Sequence, residues 1–130
     1  MNKLLLDTIS TNPKLRKPGV YKIYLYRENK PITIPRFLKD DVSGLLYIGA
    51  AEKTPLYYRL NCFINTINPS KKQNNHSGAN KVMNNKSLDK IIKVSSLMFD
   101  FILSSKAKMQ EKKELKDYFE EFGEVPPLNG

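Results

Sequence analysis

A chain of 130 residues has the length of one ordinary domain, and its 22 Lys and Arg against 13 Asp and Glu leave a formal net charge of +9. Such an excess suits a polyanion, either nucleic acid or an anionic membrane surface. The lone cysteine, Cys62, excludes an intrachain disulfide and fits a reducing compartment. Its helical, apolar setting reads as that of a small buried hydrophobe.

From the N-terminus, Met1 to Asp7 offers only three leucines before an acid, too few for a signal peptide, and no run approaches transmembrane length. The expectation is a cytoplasmic protein with no membrane partner, bound to a polyanion of the cytosol, DNA or RNA. Residues 3–10 read as a short helix that ends before Asn12-Pro13, because a proline disfavours helical geometry in the residue preceding it. Pro18-Gly19 punctuates the chain, and Val20 to Tyr26 is dense in β-branched and aromatic residues, the mark of a strand with Tyr21, Ile23 and Leu25 on one face.

Residues 27–44, with Pro31, Pro35, Asp40-Asp41 and Gly44, read as a long hairpin connection to a returning strand from Leu45 to Gly49. Thr54-Pro55 then has the cap and first-turn residues of a helix whose Leu56, Leu60, Phe63, Ile64 and Ile67 form one apolar stripe. Arg59 falls roughly 80° from the centre of that stripe, on the border between core and solvent. Residues 68–86 are polar, rich in Asn and Lys, and read as a mobile basic loop. A short helix from Leu88 to Val94, an apolar strand from Leu97 to Leu103 and a last helix from about Lys106 to Phe122, stopped by Gly123, complete the chain.

This order predicts one α+β domain over residues 1–130, with a small, mainly antiparallel three-stranded sheet flanked by helices in the order β-β-α-α-β-α after a short N-terminal helix. Two tripeptides fall on its first two strands, Gly19-Val20-Tyr21 and Tyr47-Ile48-Gly49. Arg59 follows on a helix, a glutamate on the last helix, and Pro126-Pro127-Leu128-Asn129 at the end. With the motif glycines Gly19 and Gly49, that succession resembles the GIY-YIG nuclease family over nearly the whole chain. Either tripeptide alone would carry little weight; their order on matching elements carries the resemblance.

The resemblance implies a metal-dependent endonuclease that hydrolyses phosphodiester bonds in DNA, in restriction, homing or repair. It assigns Tyr21 and Tyr47 to the neighbourhood of the attacking water, with Tyr21 the general base, and Arg59 to the scissile phosphate, whose oxygens a planar guanidinium matches. It also implies one divalent ion, Mg²⁺, on a glutamate of the last helix. Glu111 lies roughly 30° from the centre of the stripe expected from Leu115, Tyr118, Phe119 and Phe122, and the alternative Glu114 about 90° away. Asn129 matches the family's terminal asparagine, which orients the site through its amide. Lys53, Lys71 and Lys72 are expected on the nucleic acid.

The chain also departs from the family. The stretch between Tyr21 and Tyr47 is longer than in most members. Where many have a histidine one turn after the arginine, this chain has Phe63, and its only histidine, His76, lies in the polar loop and either replaces the missing one or does nothing. Taken singly, a strand tyrosine packs and Arg59 pairs with an acid at the surface. The rival readings are a non-catalytic basic domain that binds nucleic acid and a basic module that docks on a protein or membrane.

Overall fold

The computed structural model describes residues 3–67, 76–83 and 91–130. Leu4–Leu5 (β1) is a strand, not the start of a helix, because Leu4 and Leu5 pair with Phe99 and Met98 on an otherwise open strand edge. The following Leu6–Thr11 forms only 3₁₀ turns. The Thr8 and Thr11 hydroxyls donate to the carbonyls of Leu5 and Thr8 at 2.7 and 3.0 Å, the local competition that makes threonine a poor helix interior. Asn12 then caps a second 3₁₀ turn, Pro13–Arg16, by accepting the Lys14 N–H at 3.1 Å.

Gly19–Arg27 (β2) runs the length of the sheet and turns through Glu28 and Asn29, both with positive φ, into Lys30–Pro31 (β3). Leu45–Ala51 (β4) returns along β2, and Leu97–Leu103 (β5) pairs with its opposite edge. All pairings are antiparallel, in the order β1-β5-β2-β4, with β3 beside the far end of β2. The sheet thus has five strands among the described residues. The three expected are the long ones, and the extra two contribute two residues each. A bulge opposite Ile23 and Tyr24 inserts Leu46, so that Leu46 and Tyr47 both face the side of Tyr21.

Leu56–Ile67 (α1) and Ser77–Met83 (α2) cover that face. Leu56, Leu60 and Phe63 of α1 are fully buried there against Ile23, Leu15 and Phe99, each burial contributing about 1.5–3 kcal/mol. Leu60→Ala would damage this layer by about 2–5 kcal/mol. Residues 76–83 were expected within a loop. They form a helix because Ala79 and Val82, one turn apart, drop into this core. The rest of the expected loop, with Lys71 and Lys72, lies outside the described residues. So do residues 88–90 of the expected Leu88–Val94 helix, while Ile92 and Lys93 are not helical and Val94 begins a 3₁₀ turn.

The other face of the sheet, Val20, Tyr24, Leu45 and Ile48, packs on Ala107–Phe122 (α3) through Leu115, Tyr118 and Phe122. Gly123, at φ 80°, ends α3 in the left-handed conformation that glycine adopts without penalty. Phe119, expected in the buried stripe, is 53% exposed because the contact with the sheet runs along Tyr118 and Phe122. The long connection after β3 folds back on this end of α3. The Leu38 N–H donates to the Phe122 carbonyl at 2.9 Å, and Ile34 bridges Asp41.

Candidate active site

The two tyrosines of the site, on β2 and β4, meet at Gly49. Across the β2–β4 ladder Gly49 pairs with Tyr21, and a Cβ at Gly49 would lie 2.4 Å from Tyr21 Cζ and 2.7 Å from Tyr47 Cε2. The missing side chain is what lets both tyrosine rings lie over β4, with centroids 6.0 Å apart. Gly19 serves the backbone instead: a Cβ there would sit 2.3 Å from the Ile102 carbonyl oxygen of β5. Both motif glycines are therefore explained by close approach, at the start of β2 and beneath the tyrosines.

His76 completes an aromatic box. Its ring centroid stands 5.2 Å from Tyr47, 5.1 Å from Phe63 and 6.3 Å from Tyr21, and its side chain is fully buried. His76 does not lie in a loop, as the polar stretch around it suggests, because the residue caps α2. Its Nδ1 accepts the backbone N–H groups of Gly78 and Ala79 at 3.1 and 3.3 Å. A nitrogen that accepts carries no proton, so the neutral ring bears its hydrogen on Nε2, 2.9 Å from the Tyr21 hydroxyl. His76 thus donates to Tyr21 Oη. Burial, helped by the Arg59 charge, pushes its pKa down to about 4, which keeps the ring neutral at pH 7.

Burial pushes the Tyr21 hydroxyl well above the ordinary tyrosine range, and Tyr47 adds to the rise. The Arg59 guanidinium opposes it through charge and hydrogen-bonding reach, and the Glu111 charge reinforces it. The resting group is a neutral phenol that already has cationic and N–H donors on its oxygen side. Arg59, from the first turn of α1, is half-buried, as its border position on the helix predicts.

The two glutamates differ in what holds them. Glu114 is engaged at both oxygens: Oε1 receives Lys22 Nζ at 2.7 Å and Oε2 receives Gln110 Nε2 at 2.9 Å. Glu111 has neither an ion pair nor a hydrogen bond among the described residues, and burial raises its carboxyl pKa while Lys108 opposes the rise. A half-buried carboxylate with both oxygens unengaged, near Tyr21, fits a hard divalent ion that keeps most of its waters. No three His, Cys, Asp or Glu side chains gather into a metal cluster among the described residues. A one-carboxylate site does not require such a cluster.

Asn129 takes a supporting position. Its Oδ1 accepts the Ile48 N–H at 2.9 Å and its Nδ2 donates to the Ile48 carbonyl at 2.8 Å, while the Leu128 N–H donates to Leu46 at 2.9 Å. The C-terminal segment thereby closes the open edge of β4 between Tyr47 and Gly49, which makes Asn129 a positioning residue. Lys53 is exposed in the turn between β4 and α1.

Sequence reasoning missed Gly78, where a Cβ would lie 2.9 Å from the Tyr47 ring, and the capping role of His76. The available signal was local: a polar residue followed by Ser77-Gly78-Ala79, small residues that suit a first helical turn. Among the described residues no helix is long and apolar enough to cross a membrane. No family model, curated protein or solved structure matches this chain.

Proposed function

We propose that this chain is a GIY-YIG-type nuclease, a Mg²⁺-dependent enzyme that hydrolyses phosphodiester bonds in DNA. The observation that supports it most is the convergence on one hydroxyl. Tyr21 Oη has His76 Nε2–H at 2.9 Å and the Arg59 charge against it, with the unengaged Glu111 carboxylate nearby. These groups come from β2, the cap of α2, α1 and α3, and packing alone gives no reason to unite them.

In this reading Tyr21 takes a proton from the water that attacks phosphorus, as the bond to the leaving oxygen breaks. Burial disfavours the phenolate this requires, and the Arg59 guanidinium and the His76 N–H are the groups of this chain that stabilise it. His76 acts through its tautomer: Nδ1 is held by the helix N–H groups, so Nε2 can only donate, and the proton leaving Tyr21 must go outward. Arg59 also holds the phosphate oxygens as negative charge builds on them. A Mg²⁺ ion on Glu111 would supply positive charge for the same oxygens and the leaving group. Tyr47, over Gly49, walls the site against the core and orients the Tyr21 ring.

The test is incubation of the protein with supercoiled plasmid and Mg²⁺. Nicked or linear DNA should appear, chelation should stop it without unfolding the protein, and Arg59→Ala should remove it. Full cleavage by Arg59→Ala would overturn the mechanism.

A further inference from the structure

Resting on that reading, we infer that the strand presented to the site is an unpaired polynucleotide, held by phosphate contacts and by base stacking on Tyr57 and Tyr58. The first turn of α1 carries Tyr57, Tyr58 and Arg59 in succession, and the two tyrosines are 37% and 48% exposed although α1 buries Leu56, Leu60, Phe63 and Ile67. These rings, next to the arginine whose charge reaches Tyr21, belong to neither buried cluster of the core.

Cations surround the same turn. The Leu56 N–H donates to the Lys17 carbonyl at 3.0 Å, tying the 3₁₀ turn Pro13–Arg16 to the start of α1, and Lys53 lies in the turn that leads into the helix. Lys14, Arg16, Lys17 and Lys53 are all exposed and take part in no ion pair among the described residues. The acids at this end are Glu111 and Glu52, the latter held by the Lys108 N–H at 3.2 Å. Elsewhere some exposed charges are paired, Lys39 with Glu121, Lys113 with Asp117 and Lys116 with Glu120, although Arg27, Lys30 and Lys112 are likewise exposed and in no ion pair among the described residues. Unmatched cations follow a phosphate backbone whatever its strandedness. Tyrosine faces add affinity only for bases outside a stack, since a duplex offers phosphates and groove edges but hides base faces. The pairing of bare aromatic rings with unmatched cations therefore selects an unpaired strand.

Binding is measured in chelator, where no cleavage occurs, so that inactivity on plasmid and failure here are separate results. The probes are labelled oligothymidylate, oligouridylate and a hairpin duplex with a similar number of phosphates. Tyr57→Ala/Tyr58→Ala should weaken binding of the tighter single strand about tenfold or more, with the duplex affinity and salt slope little changed. Tyr57→Phe/Tyr58→Phe, which keeps both ring faces, should restore single-strand binding. A single-strand loss that does not exceed the duplex loss would overturn the inference, as would failure of the phenylalanine pair to rescue.

Discussion

The two faces of β2 use the same residue types for opposite ends. On the α3 face three polar pairs hold one another: Lys22 with Glu114 at 2.7 Å, Tyr24 with Asp100 at 2.9 Å, and Tyr118 with Asp41 at 2.7 Å. Burial raises the pKa of Tyr24 and Tyr118, and the neighbouring carboxylates raise it further, so both hydroxyls stay protonated and donate. On the α1 face Tyr21 accepts instead, from His76, with Arg59 opposing the rise in its pKa and Glu111 left without a partner. A buried tyrosine beside a carboxylate is a locked donor; beside a cation and a fixed N–H it is still a phenol raised by burial, but it has groups at its oxygen that oppose the rise. The first arrangement holds the fold together, and the second leaves capacity for a ligand.

The sharpest way to break that comparison is to exchange its glutamates. Arg59→Ala and Glu111→Gln should each lower plasmid cleavage about a hundred- to a thousandfold, the scale set by losing one group that stabilises transition-state charge. Neither group lies in the core, so urea unfolding should change little. Glu114→Gln should do the reverse, costing about 1–2 kcal/mol through its mostly buried pair with Lys22 while cleavage changes only a few-fold. Cleavage lost in Glu114→Gln and kept in Glu111→Gln would swap the two roles.

The contrast was only half legible in the sequence. Alternation along Val20–Tyr26 and the stripe of α1 gave the right faces, because apolar burial is periodic and local. The motif order placed Tyr21, Tyr47, Arg59 and Glu111 on the elements that the structure brings together. Partner choice was not visible: nothing near Glu114 in the chain announces Lys22, which lies across the sheet on β2. His76 looked like a loop residue because its burial depends on Phe63, Tyr47 and Tyr21, which are distant in sequence. The two-residue strands were invisible for the same reason, since Leu4–Leu5 is extended only because β5 offers an edge.

Acid should discriminate the faces next. His76 titrates near 6.5 when unfolded and at about 4 when folded, so the folded state resists a proton that the unfolded chain accepts. Stability is then whole above pH 6.5 and falls as pH drops toward 4, by roughly 3 kcal/mol in all. Asp100 and Glu111, whose pKa values are raised, act with the opposite sign, binding protons in the folded state at higher pH than when unfolded. The comparison is therefore made against His76→Gln: urea midpoints at pH 7 and pH 4.5 should diverge more in the wild type. Equal divergence would remove the neutral, capping histidine.

A smaller effect belongs to the matched face. Tyr118→Phe removes the hydroxyl that reaches Asp41 Oδ2 and leaves a buried carboxylate with Ser43 as its remaining partner, through N–H and hydroxyl contacts to Oδ1 at 2.8 and 2.6 Å. The loss should be about 1–3 kcal/mol in urea unfolding, with cleavage per folded molecule unchanged. Reduced turnover at full stability would mean that the connection between the tyrosine motifs couples to the site.

The smallest expected effect tests where positioning ends and chemistry begins. Asn129 gives both hydrogen bonds of its amide to Ile48, on the open edge of β4, so Asn129→Ala frees an N–H and a carbonyl that water can reach. The cost should be about 1 kcal/mol. Tyr47 and Gly49 flank Ile48, and looser backbone there lets the Tyr21 ring drift over Gly49, which should lower cleavage a few-fold. Asn129→Asp keeps the oxygen that accepts the Ile48 N–H and should fall between the wild type and the alanine variant. Because the amide bonds only backbone, neither substitution should move the pH at which cleavage rises, which in the proposed mechanism reports the ionisation of Tyr21. A displaced pH profile in Asn129→Ala would mean that the amide acts on the Tyr21 proton itself and belongs with the catalytic groups.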